Sequence, residues 1–467
     1  MKMWSGRFRQ PLNSEFERWQ RSFGFDRRLL RHELAASSAH ATALKNAGVL
    51  SADELISILQ GLELIGKQAA GALAFFEDED AEDVHHFVEK QLVALIGEVG
   101  YKLHSGRSRN EQIATDLRQY VRAAIDQLRE EIADLTAAFV ERSEQAGDAA
   151  MPAYTHLQRA EPVLVGHWLL AYVEMFLRDA ERLSDCRKRL NVCPLGSGAV
   201  AGATLSLDRS LMAGKLGFDA PTANSIDATS DRDFAIEFVQ SLSMLALHLS
   251  RWAEEMILFS SQEYEFIGLP EAYSTGSSAM PQKKNPDLLE LVRGKSGRVL
   301  GNATALMITL KGLPLAYNKD LQESQEPLFD SADTLLQMLP LVTGWMKAAE
   351  FHLETMQQAA QSGFMNAWAA ATYLVNRGVP SRLAHERIGK AVQMCIERNC
   401  ELHELPLDQL RSLSPAFGED FYESLTLKSV LALHDVPGGT APDRVQQAMG
   451  AARKKIESLR EEVHAHA

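Results

Sequence analysis

Apolar positions recur every three or four residues through several long stretches of the chain, and this period predicts helices. Ile113, Leu117, Val121, Ile125, Leu128, Ile132, Leu135 and Phe139 form one such series with no Gly or Pro between them. At about 1.5 Å per residue it makes a single helix on the order of 50 Å long. A second series, Phe234, Phe238, Leu242, Leu245, Leu249, Trp252, Met256 and Phe259, falls within residues 231–262 and steps close to a heptad seam. A third helix follows Pro286 and carries Gly294, Gly297 and Gly301. Glycine inside a helix costs about 1 kcal/mol relative to Ala, so close packing against another helix is expected there. Leu55, Ile58, Leu59, Leu62 and Ile65 predict a shorter helix over 51–66, with Ser51 as cap and Glu54 completing a capping box. Helices as long as the first three suggest a bundle or an oligomer core rather than a compact monomer. The pattern divides the chain into a mostly helical N-terminal domain (1–106), a central long-helix domain (107–360) and a small C-terminal helical domain (361–467).

Charge narrows the partners. A formal net charge of -14 over 467 residues argues against nucleic-acid binding, which needs a basic stripe. An anionic ligand would therefore need locally concentrated cations. Cys186, Cys193, Cys395 and Cys400 form no C-x-x-C pair and read as free thiols of a reducing compartment. No apolar run is long enough to span a bilayer, and M-K-M-W-S-G-R-F at the start has no apolar targeting segment. A cytoplasmic protein without membrane or nucleic-acid partners is expected. His464 and His466 read as a tail rather than a metal site.

Four stretches carry candidate chemistry. Residues 273–293 read Y-S-T-G-S-S-A-M-P-Q-K-K-N-P-D-L-L-E-L-V-R. Glycine, serines and two prolines make the first half a loop, while Pro286, Asp287 and Glu290 suit a helix start. A hydroxyl-rich, cationic loop feeding a helix is suited to close over a small anion. Residues 102–112 read K-L-H-S-G-R-S-R-N-E-Q, so Gly106 breaks one helix and Ser108 or Asn110 caps the next. Arg107 and Arg109 at that helix start offer an anion site. The acidic run at 77–83 reads as a solvated turn. Residues 152–162, P-A-Y-T-H-L-Q-R-A-E-P, place His156 between two long helices, and an unperturbed imidazole, titrating near ~6.5, is suited to proton transfer. L-G-S-G-A-V-A-G at 195–202 is a decoy: its third glycine is one place late for a dinucleotide loop and no βαβ pattern surrounds it, so it reads as a tight turn.

The run G-S-S-x-M-P-x-K-x-N (Gly276, Ser277, Ser278, Met280, Pro281, Lys283, Asn285) resembles the shared loop of the fumarase/aspartase superfamily, whose members release fumarate. Its surroundings, M-P-Q-K-K-N-P-D-x-L-E-L-V-R-G-K, T-L-K-G-L-P and Y-N-K-D-L-Q-E, resemble the argininosuccinate lyase family in particular. The likeness runs from W-S-G-R-F near the start to G-G-T-A near the end and is strongest over 102–326. It implies an all-α, three-domain fold whose central bundle of long helices is completed by tetramerisation, with three subunits of the homotetramer contributing to each site. It implies cleavage of argininosuccinate to arginine and fumarate, with no cofactor and no metal. Another fumarate-releasing lyase or a non-catalytic structural relative are the alternatives.

Residue by residue, the resemblance makes Ser277 the base and His156 the proton donor, the reverse order remaining open. Glu290 is expected to orient His156, and Lys283 and Asn285 to hold the carboxylate that gathers charge. Ser108, Asn110 and Thr155 would hold the other carboxylate. Asp83 and His85 of E-D-V-H, together with Ser22, Arg109, Arg232, Tyr317 and Gln322, are the remaining substrate-binding candidates. Two positions depart from the family: Glu111 stands where Asp is usual, and Gln325 where many members carry Lys, which puts the contact to the substrate's amino-acid carboxylate in doubt.

Overall fold

The computed structural model describes residues 10–71, 73–78 and 80–466; the W-S-G-R-F segment lies outside the described residues. The fold is all-α. Its principal helices are α1 (Leu30–Asn46), α2 (Ala52–Gly71), α3 (Val84–Ile96), α4 (Arg109–Ala146), α5 (Val165–Leu190), α6 (Asp233–Phe259), α7 (Asp287–Leu310) and α8 (Gln325–Ala348). Among the described residues, no helix is long and apolar enough to cross a membrane.

The local rules hold where they are strongest. Ser51 and Glu54 form the expected reciprocal cap, with Ser51 N–H donating to Glu54 Oε2 at 2.9 Å and Glu54 N–H to Ser51 Oγ at 3.2 Å. The helix does not stop at Gly66, however, but continues to Gly71. Gly61 and Gly66 are points of close approach: a Cβ on Gly61 would lie 2.6 Å from a Leu92 methyl, and one on Gly66 3.3 Å from Leu34. All eight apolar positions of the predicted 113–139 series and all eight of the α6 series are buried.

The α7 glycines find no close neighbour within the chain as described. A Cβ at Gly294, Gly297 or Gly301 would meet nothing within 4 Å, so among the described residues no helix packs closely on them. The same helix leaves Leu291, Leu300 and Ile308 more than half exposed.

The contacts divide the chain into two compact units, each assembled from three separated stretches. Unit 1 takes residues up to 127, 182–243 and 298–334, and unit 2 takes 128–181, 244–297 and 335–467. One core of unit 1 joins α1 to the 193–218 segment through Ala36, Ala39, Ala43, Cys193, Met212 and Phe218. Unit 2 centres on aromatic contacts among its long helices: Phe139 meets Phe176 and Trp252, and Trp252 meets Trp345 edge-on at 5.2 Å. A separate cluster within unit 2, including Leu374, Ile388, Cys395, Phe417 and Phe421, organises the C-terminal helices.

Short strands interrupt the helices. β1 (Ala150–Thr155) and β2 (Gln158–Leu164) form an antiparallel hairpin in which Thr155 faces Gln158 across a two-residue turn. β3 (Thr275–Gly276) and β4 (Lys284–Asn285) pair antiparallel and close the 273–293 loop at its base. The 195–202 segment is a turn, with Gly196, Gly198 and Gly202 all at positive φ.

Candidate active site

In unit 1 a cavity of about 140 Å³ is lined by Ser22, Asp83, His85, Arg109, Asn110, Tyr317 and Gln322, seven of the expected substrate-binding residues drawn from four separated parts of the sequence. Asp26, Glu82, Lys319 and Gln325 complete its polar wall. Asp83 caps α3 by accepting from His86 N–H at 2.8 Å, which points the first turn of that helix, with His85, at the cavity.

Both signs of charge are present and largely paired. Arg109 Nη1 lies 2.9 Å from Asp83 and 3.1 Å from Glu82. Arg107 Nη1 donates to Ser37 Oγ at 2.8 Å and lies 3.7 Å from Glu33. The two arginines are therefore engaged by carboxylates of the chain, not left open as a bare anion site. Asp26 accepts from Ser22 Oγ at 2.5 Å and from Val84 N–H at 3.0 Å. Burial, reinforced by the Asp83 charge, pushes its carboxyl up to about 7. Gln322 donates to the Gln20 carbonyl at 3.1 Å. Gln325 is buried, and its side-chain oxygen has no hydrogen-bond partner.

Two residues of this region are fully buried and lie outside the cavity lining. Arg232 is fully buried, donates Nη1–H to the Asp231 carbonyl at 2.7 Å and does not line the cavity. Burial lowers its guanidinium to about 10, with the Tyr317 side chain acting in the other direction. Its influence on the cavity would pass through Tyr317. Glu111 is a structural tie: it accepts from Ser108 N–H and from Gly198 N–H, each at 3.0 Å, and so anchors the start of α4 to the glycine turn. Ser108 Oγ in turn accepts from Asn110 N–H at 3.3 Å.

The remaining candidates belong to unit 2 and stand in the open. Thr155 and His156 sit at the tip of the β1–β2 hairpin, and both are exposed. His156 and Leu157 both have φ of 57°, the geometry that tight hairpin turns ordinarily reserve for Asn or Gly. Holding two ordinary side chains there stores backbone strain of roughly 1–3 kcal/mol each, a pattern typical of functional turns.

In the β3–β4 loop, Ser277 Oγ accepts hydrogen bonds from the backbone N–H of Met280 at 3.1 Å and of Ala279 at 3.3 Å. Thr275 Oγ1 donates to Asp287 at 2.5 Å, tying the loop to the first turn of α7. Lys283 and Glu290 are exposed and Asn285 is half-buried. Among the described residues, no hydrogen bond or ion pair joins Glu290 to His156 or Lys283 to Ser277 within the chain. Among the described residues the expected orienting pair is not formed: His156 stands exposed at the hairpin tip and Glu290 exposed in the first turn of α7.

A larger cavity of about 450 Å³ in unit 2, lined in part by Met365, Asn366, His403 and Tyr422, touches the motif stretches only at Pro162 and includes none of the expected catalytic or substrate-binding residues. Size alone is a poor guide here. The smaller cavity gathers the charged groups.

This fold and motif set define a lyase of the fumarase/aspartase superfamily. A lyase family profile matches residues 6–301, and a profile for the argininosuccinate lyase C-terminal region matches 364–432. The argininosuccinate lyase of Koribacter versatilis is 61% identical over 467 residues, covering 100% of both chains. That of Acidobacterium capsulatum is 58% identical over 464 residues, covering 98% of this chain and 96% of the other. The chain belongs to the argininosuccinate lyase family. Among solved structures, EDDS lyase in complex with formate superposes with a TM-score of 0.85 at 26% identity, over 98% of this chain and 93% of the other. The 3-carboxy-cis,cis-muconate lactonizing enzyme of Pseudomonas putida shares the fold, with a TM-score of 0.73 at 20% identity over 95% of this chain and 100% of that one.

Proposed function

We propose that the protein cleaves argininosuccinate to arginine and fumarate by β-elimination, acting in the cytoplasm as a homotetramer organised as domains 1–106, 107–360 and 361–467. The observation that carries the activity is the 61% identity to an argininosuccinate lyase along the whole of both chains.

The reaction removes a weakly acidic proton from the carbon beside one carboxylate and expels a guanidinium nitrogen from the next carbon. Charge from the broken C–H bond spreads into the adjacent carboxylate, and pre-placed cations and donors must meet it there. Lys283 and Asn285 take that role. Ser277 is the base. A serine hydroxyl serves as one only when its alkoxide is stabilised, and the two backbone N–H groups already aimed at Ser277 Oγ supply part of that stabilisation. His156 returns a proton to the leaving nitrogen as the C–N bond breaks. Ser108, Asn110 and Thr155 hold the second carboxylate.

The unit 1 cavity takes the amino-acid end of the substrate. That end is a zwitterion, and the cavity offers carboxylates for an ammonium together with Arg109, His85 and Lys319 for a carboxylate. The exposure of His156, Lys283 and Glu290 in one chain supports a site completed by neighbouring subunits, with the bare glycines and apolar side chains of α7 packed against their counterparts. In the assembled site Glu290 meets the His156 of another subunit.

Purified protein mixed with argininosuccinate should release fumarate, followed by its ultraviolet absorbance. Ser277→Ala and His156→Asn should each abolish the signal. Turnover of adenylosuccinate or aspartate instead would reassign the substrate, and no turnover of any of the three would favour a structural role.

A further inference from the structure

Behind the unit 1 cavity lies a layer of buried charge outside every motif. Glu33, on α1, is fully buried and uses its two oxygens differently. Oε2 lies 2.9 Å from His85 Nδ1. Oε1 accepts from Ser37 Oγ at 2.6 Å and Gln112 Nε2 at 3.1 Å. Asp116, on α4, is also fully buried, with Oδ2 3.7 Å from His85 Nδ1 and no donor reaching either oxygen. At the far side of the ring, His85 Nε2 is buried without a hydrogen-bond partner, although His85 forms part of the cavity wall.

We propose that Glu33 and Asp116 are positioning residues that hold His85 as an imidazolium, with Nδ1–H on Glu33 and Nε2–H offered to a substrate carboxylate in the cavity. The proposal deepens, and rests on, the reading of that cavity as the amino-acid end of the site.

The surrounding charges are consistent with it. Two carboxyl groups this close in a dry site do not both ionise. Burial, with the Glu33 carboxylate beside it, drives the Asp116 carboxyl well above its usual range, so Asp116 keeps its proton and can donate it to Glu33. Glu33 remains the anion: burial opposes this, but Arg107 and then His85 hold it down to about 2. For His85, burial again opposes charge, and Glu33, Asp83 and Asp26 together outweigh it and raise the imidazole above its ordinary value. Of the basic groups facing it from neighbouring elements, His104 opposes the ring charge, while Arg107 and Arg109 are paired with Glu33 and Asp83. The Glu33, His85 and Asp116 ligand atoms all lie within 4.8 Å of one another, a spacing that would also suit a metal ion. The Nδ1–Glu33 bond and the Arg107 guanidinium beside the same carboxylate fit a protonated network better.

The first test is ¹⁵N-histidine NMR of the intact wild type, with His85→Gln used to assign the signal. Both ring nitrogens of His85 should stay protonated where an ordinary imidazole, titrating near ~6.5, is already largely neutral; a ring that titrates at or below that ordinary value overturns the proposal. Glu33→Gln should return the titration toward ~6.5 and raise KM for argininosuccinate about 10–100-fold, the range expected when a hydrogen bond to a charged group is lost, while kcat changes about threefold or less. Glu33→Asp should restore the ring charge and part of KM. An unchanged KM and titration in a folded Glu33→Gln contradict the proposal. Asp116→Asn should remove a protonated-carboxyl band from the infrared spectrum, and its absence from wild type rejects the Asp116 assignment. If wild type fails to turn over argininosuccinate, the activity reading falls, and the ring signal still decides the positioning claim.

Discussion

The cavity of unit 1 and the loops of unit 2 solve opposite problems. Around the cavity, Asp26, Asp83, His85 and Arg109 are buried or half-buried, and their hydrogen bonds and ion pairs hold them before any ligand arrives. In unit 2, His156 on the hairpin, Lys283 on the loop and Glu290 at the start of α7 are exposed, and among the described residues no bond joins the expected pairs. On the proposed roles, the binding half is preorganised in one chain, whereas the reacting half would be completed by assembly. Preorganisation limits the cost of binding a small zwitterion. Groups that must move protons need a closed, dry site, and neighbouring subunits can provide one.

The largest effects should come from the displayed half. Ser277→Ala and His156→Asn are expected to lower kcat by about 10²–10⁴-fold, the usual scale for a lost general acid or base, with Kd for argininosuccinate nearly unchanged in calorimetry. Charging the α7 face, as in Leu300→Glu with Ile308→Glu, should yield smaller species in sedimentation with kcat lost in parallel. A monomer with full activity would break the comparison.

Substitutions in the cavity should act on binding instead. Arg109→Ala is expected to raise KM about 10–100-fold through loss of a charge-assisted contact, and it should also loosen Asp83. The Asp26 carboxyl, raised to about 7, is neutral below that pH and anionic above it. Only the anion attracts an ammonium, so KM should fall as pH rises through about 7, and Asp26→Asn should flatten that dependence.

The smallest effect concerns the strained turn. Leu157→Gly relieves an unfavourable φ and should stabilise the fold by about 1 kcal/mol, read as a modest rise in Tm. An unchanged or lower Tm would mean that the turn holds no relievable strain.

What the sequence disclosed follows from the range of the forces involved. The α4 and α6 series and the Ser51–Glu54 cap were legible because period and capping are local. The loop residues Ser277, Lys283 and Asn285 were legible through a contiguous motif. The β1–β2 hairpin gave no turn signal, since His156-Leu157 lacks the Asn or Gly such a turn prefers. Glu33 and Asp116 sit inside helical text where a charged residue reads as solvated, and only the tertiary approach of α1, α3 and α4 makes them a buried pair. The burial of Arg232 was hidden for the same reason, because burial is not written in a local motif. The α7 glycines suggested close packing against another helix, and among the described residues none approaches them.

The most direct test of the division is hybrid formation. Asp83→Asn weakens binding in the cavity and Ser277→Ala removes the base on the loop, so at argininosuccinate concentrations well below the raised KM each parent protein should release little or no fumarate. Co-expressed chains that assemble together should recover fumarate release well above either parent, because some sites then draw an intact cavity and an intact loop from different subunits. Folded hybrid tetramers that remain as silent as the parents would place both halves of each site in one chain and contradict the account.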